Sequence, residues 1–118
     1  MKPEDRVVAP VTEPEAVRLA HELYGLEGEA RPLPGEYDAN FHLTTGDGPG
    51  FVLKVMHPAR DRGLVELQCA ALGHLAERAG HLALPRVRPT TSGDALTTAS
   101  VGGGPRLVWM LTFVPGTV

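Results

Sequence analysis

"GFVLKVMHP", residues 50–58, decides how this chain is read. Phe51, Val52, Leu53, Val55 and Met56 form a run rich in β-branched and aromatic side chains, the mark of a buried strand, and Lys54 sits in its middle. Burying an ammonium costs free energy unless something anionic meets it. A lysine on an apolar strand commonly faces solvent or guards a sheet edge. Alternation argues for another placement: Phe51, Leu53 and Val55 share one face while Val52, Lys54 and Met56 share the other. Lys54 then has apolar neighbours on its own side and points into a cleft or a second layer.

Upstream of this strand lies a glycine turn, "GDGPG", preceded by the short strand patterns "ARPLPGE" and "NFHLTT". Further back, "TEPEAVRLAHELYGLEG" predicts a helix with Thr12 as N-cap, Glu15 completing a capping box, and Gly25 as C-cap. Val17, Ala20, Leu23 and Tyr24 fall on one face of it. The first 11 residues, with Pro3 and Pro10 and alternating charge, read as a loose leader, so the domain is expected to occupy residues 12–118.

Downstream, "LVELQCAALGHLAERAG" predicts a second helix with Leu64, Leu67, Ala71, Leu72 and Leu75 on its buried side, closing at Gly80. Gln68 falls on that apolar stripe, whereas Glu66 lies about 200° around the helix from Leu64. Strand patterns follow at "RVRPTTS", "DALTTAS" and "PRLVWMLTFV". The order is helix, three strands, helix, three strands. Tight turns between strands predict an antiparallel sheet with the helices on one face, an α+β fold.

The chain has 118 residues, enough for one core. Its net charge of -3, with 11 basic residues scattered among 14 acidic ones, lacks the basic stripe of a nucleic-acid binder. Cys69 is the single cysteine, which excludes an internal disulfide and suits a reducing cytoplasm. No apolar run approaches the roughly 18 to 20 residues of a membrane span, and the start lacks a secretory signal. A soluble cytoplasmic protein is expected.

Common nucleotide fingerprints are missing, since neither G-x-x-x-x-G-K-[ST] nor G-x-G-x-x-G opening a helix occurs. "HELYG" has Gly25 where a zinc helix needs its second histidine, and His21, His42, His57, His74 and His81 show no ligand spacing. Cys69 reads as an apolar helix residue, and Ser92 and Ser100 have no nearby histidine to activate them. Gly102, Gly103 and Gly104 read as a hairpin turn. Lys54 and Gln68 are what remain.

Taken together, "LPGEYDANFHL", the glycine turn, "GFVLKVMHP", a helix with "ELQCAALGHL", "LPRV" and the closing "RLVWMLTFVPG" resemble the N-terminal lobe of the aminoglycoside phosphotransferase family. The likeness is nearest to its hydroxylysine-kinase-like and homoserine-kinase-like branches, including domains fused ahead of class III aminotransferases. The resemblance implies a protein-kinase-like small lobe: a five- to six-stranded antiparallel sheet, an N-terminal helix and one αC-like helix. It implies ATP as cofactor, with Lys54 as the strand lysine that meets the nucleotide's α and β phosphates. Gly35, Glu36, Tyr37, Asp38 and Asn40 match the turn that covers the phosphates. Thr112, Phe113 and Val114 match the hinge that holds adenine, with Leu111 at the back of that pocket.

Two departures from the family pattern shape the expectation. The glutamate that normally pairs with the strand lysine is replaced by Gln68, so either Gln68 bonds Lys54 or Glu66 substitutes from a shifted register. The family's large lobe carries an H-x-D base and D-x-D or D-x-G magnesium ligands; here no histidine is followed two residues later by Asp, and neither D-x-D nor D-F-G occurs. The resemblance therefore implies a truncated, nucleotide-holding lobe without catalytic or metal residues, whose partners are nucleotide, the missing C-terminal lobe or a fused domain, and other copies of itself. The competing reading is a stand-alone α+β interaction module, with Lys54 on a solvent-facing edge.

Overall fold

The computed structural model describes residues 10–34, 38–46, 48–79 and 84–114. Two helices and six strands follow the predicted order: α1 (Glu13–Tyr24), β1 (Glu29–Leu33), β2 (Ala39–Thr44), β3 (Phe51–Val55), α2 (Arg62–Arg78), β4 (Val87–Arg88), β5 (Leu96–Val101) and β6 (Gly104–Thr112). Helix α1 starts where its capping box places it. Thr12 Oγ1 accepts the Glu15 N–H at 3.3 Å and the Thr12 N–H donates to Glu15 Oε1 at 3.2 Å. Gly25, left-handed at φ 67°, ends it.

All strands join one antiparallel sheet in the order β1-β2-β3-β6-β4, and β5 also pairs with β6. Strand β6 is the hub. One edge carries β3, while the other carries β5 along residues 104–109 and β4 along residues 110–111. The β5–β6 turn uses Gly102 and Gly103 at φ 64° and 92°, the two positive φ values of a type I′ hairpin, as the hairpin reading of these glycines expects.

Both sheet faces are covered, and this corrects the expectation of helices on one face. Ala16, Leu19, Ala20 and Tyr24 of α1 pack with Phe41, Leu43, Leu53, Val55, Val108 and Met110. On the opposite face Val65 and Cys69 of α2 pack with Met56 and Trp109, flanked by Leu72, Val87, Leu96, Leu107 and Leu111. The reason lies in the strands: β6 is apolar at successive positions, so neither of its faces can be left to water. Val11, assigned above to the leader, packs against the α1-side core.

Helix α2 is also rotated from its predicted setting. Asp61 caps it, accepting the Leu64 N–H at 3.0 Å, and its buried residues are Val65, Cys69 and Ala76, with Leu72 half-buried. Leu64, Leu67 and Leu75, expected inside, are 63%, 65% and 48% exposed, and Gln68 and Ala71 are exposed with them. The helix has two apolar faces about 120° apart. The face with the smaller residues Cys69 and Ala76 lets the helix approach the sheet, and the leucines turn outward. The expected stop at Gly80 lies outside the described residues.

Candidate functional site

Strand alternation puts Lys54 on the α2 side of the sheet, directly between Asn40 on β2 and Trp109 on β6. Its Nζ donates to Asn40 Oδ1 at 3.0 Å and lies 5.8 Å from the centroid of the Trp109 ring. The bonded partner is thus a neutral amide on the neighbouring strand, not Gln68. Glu66 is engaged elsewhere, in an ion pair with Arg62 at 3.1 Å.

The anion of the site is Asp38, just before β2. Its Oδ1 accepts the His57 N–H at 2.8 Å, and the Arg60 guanidinium grips both oxygens, from Nε at 3.0 and 3.2 Å and from Nη2 at 2.8 Å. Burial opposes ionisation of Asp38, but the Arg60 and His57 hydrogen bonds and the charges of Arg60 and Lys54 outweigh it, holding the carboxyl below its usual range. For Lys54 burial dominates and lowers the pKa; Asp38 counters this and Arg60 adds to it.

Asp38, Lys54, Arg60 and Gln68 line one open cleft of about 600 Å³, with Met56, Ala59 and the first turn of α2 completing its walls. Gln68 therefore reaches the same cleft as Lys54 without bonding it. A second cleft of about 580 Å³ lies between α1 and β1, but its charged residues Glu13, Glu29 and Arg31 are all exposed. A half-buried cation sets the first cleft apart. The strand that presents Lys54 is fixed at its end by Arg106, whose Nε donates to the Met56 carbonyl at 2.8 Å.

Leu111 shares the Lys54 face, packing with Trp109 and paired in register with Val52. Thr112 and Phe113 do not offer free donors: the Thr112 N–H bonds Arg86 O at 2.8 Å, and the Phe113 N–H bonds Gly50 O at 3.1 Å. The Thr112 hydroxyl accepts the Arg86 N–H at 2.9 Å, and the Phe113 ring stacks on His42 at 4.1 Å. Val114 follows them, half-buried. Gly35, Glu36 and Tyr37 lie outside the described residues.

Sequence reasoning missed Arg60 and Trp109. Nothing in "HPAR" marks Arg60 until the fold closes Asp38 over it, and Trp109 needs the β3–β6 register to appear beneath Lys54. Cys69 is buried and desolvation pushes its thiol pKa up, as an inert apolar residue requires. Among the described residues no helix is long and apolar enough to cross a membrane.

No family model matches the chain. Over 102 residues it is 37% identical to a hydroxylysine kinase of Danio rerio, a match that covers 80% of this chain and 28% of that protein. Its fold superposes on the microcompartment-associated aminopropanol kinase with a TM-score of 0.70 at 17% identity, covering 90% of this chain and 33% of that one. The chain thus spans about a third of the proteins it matches. In sequence the chain is similar to part of a hydroxylysine kinase, and its fold is that of a kinase-like N-terminal lobe.

Proposed function

We propose that the Lys54 face is the nucleotide-binding half of an ATP-dependent small-molecule phosphotransferase, acting in the intact protein on a hydroxyl of an amino-acid-like or amino-sugar-like acceptor. The observation that carries this reading is a half-buried ammonium, lining an open cleft, whose hydrogen-bond partner is neutral Asn40. Such a lysine keeps its charge available for a phosphate. Asn40 orients it, and Gln68 sits across the cleft. Leu111 backs the adenine pocket, and because the Thr112 and Phe113 donors serve the fold, Val114 is the hinge residue left to meet adenine. The catalytic base and the magnesium ligands come from a second lobe, so this lobe alone holds nucleotide and turns nothing over. The buried Cys69 thiol suits a cytoplasmic setting.

Titration of the chain with ATP, followed by NMR shifts, tests the reading. Lys54→Ala is expected to weaken ATP by about tenfold or more, the loss of one charge-assisted contact, and to leave adenosine unchanged. An ATP affinity indifferent to Lys54 would sink the phosphate role.

The exposed leucines of α2 favour a second property, association through that face, and they are what the interaction-module reading would rest on. Light scattering across a dilution series is expected to show self-association that Leu67→Ser abolishes. A monomer at every concentration would refute it.

A further inference from the structure

We propose that Arg60 is a second phosphate-contacting cation of the Lys54 cleft, held in position by Asp38, and that the two cations together select nucleotides carrying at least two phosphates. The inference rests on the nucleotide reading above and adds a residue and a specificity to it. Arg60 and Lys54 line the same cleft. Asp38, gripped by Arg60 at both oxygens, is only 12% exposed at its side chain, whereas the Arg60 side chain is 41% exposed. The anion is covered and the guanidinium looks outward.

The root of Arg60 is fixed as firmly as its tip. Its N–H donates to His57 O at 3.0 Å, closing a tight turn, and the His57 N–H is itself bound to Asp38. One carboxylate thus orders both ends of the turn. A guanidinium so held has already lost its rotamer freedom, so meeting a phosphate costs little further ordering.

The charge balance points the same way. Asp38 offsets one of the two cations. Among the described residues the other acid on the cleft wall, Asp61, is turned to the start of α2, where it accepts the Leu64 N–H. There its charge is met by the positive dipole end of the helix. Arg60 also acts on Lys54 as a like charge, and two cations facing one cleft are relieved by an anion that both can reach. Adjacent phosphates of one nucleotide would give each cation an anionic group of its own.

The test titrates ATP, ADP, AMP and adenosine into the wild-type chain, Lys54→Ala, Arg60→Ala and Arg60→Gln. Arg60→Ala is expected to weaken ATP and ADP by about tenfold, AMP by less than about threefold, and adenosine not at all. Arg60→Gln, which keeps a donor for Asp38 but no charge, is expected to lose as much, and it decides the matter if the alanine variant does not fold. If Lys54→Ala weakens ATP while both Arg60 variants bind it normally, the proposal is overturned and the nucleotide reading stands. Equal losses for ATP and adenosine would mark a structural effect and overturn it too. If the wild-type chain binds none of the four, both readings fall.

Discussion

Gly50→Ala is expected to lower the melting temperature by roughly 15 °C, corresponding to about 3 kcal/mol in a domain of this size. Gly50 sits at φ 87°, where an L side chain is strained, and a Cβ added there would overlap the Leu43 carbonyl oxygen. That oxygen cannot retreat cheaply, because Leu43 is the middle of the β1-β2-β3 ladder, paired with Ala30 on one side and Phe51 on the other. Gly50 also accepts the Phe113 N–H, so a shift of its own backbone breaks the tie to the end of β6. Gly46 provides the control: its φ is 96° but nothing lies within 4 Å of an added Cβ, so Gly46→Ala should cost only the backbone strain, about 1 kcal/mol. Thermal unfolding by circular dichroism measures both. Equal losses at the two positions would show that the Leu43 overlap does not matter.

Asp38→Ala is expected to cost about 2 kcal/mol at pH 7, since it removes the charge-assisted bonds that a largely covered carboxylate accepts from Arg60 and from the His57 N–H. The loss should depend on pH in a definite direction. The Asp38 carboxyl titrates below its usual value in the folded chain, so the native state favours its ionised form more than the unfolded state does. Its stabilisation is complete above about pH 4, the ordinary aspartate range, and disappears as pH falls through the lower folded value. Urea unfolding of wild type and variant should therefore diverge at neutral pH and converge in acid. A gap that stayed constant from pH 7 to pH 2 would refute the ion-pair account.

What sequence could and could not convey follows from the range of each interaction. Thr12, Glu15 and Gly25 mark α1 because capping chemistry is completed within a few residues. The inward direction of Lys54 was readable because strand alternation is equally local. The rotation of α2 was not, because a helix with two apolar faces gives no internal reason to bury one, and the sheet makes the choice. The partner of Lys54 escaped for a similar reason. Asn40 matches the phosphate-covering turn in sequence, but pairing between β2 and β3 sets it directly opposite Lys54, and that register is fixed across a loop. The Asp38–Arg60 grip spans 22 residues and depends on where β3 ends and α2 begins.

The place of β6 in the sheet also bears on how the protein is born. A ribosome releases β3, β4 and β5 before the strand that joins them, so until β6 has emerged each of the three presents open N–H and C=O groups. Local structure such as α1 and the β2–β3 hairpin can form during synthesis, but the sheet closes in one late step. Before that step the nascent chain is open to pairing with other chains, and its yield in a cell is set by how quickly β6 arrives or how well the edges are shielded meanwhile.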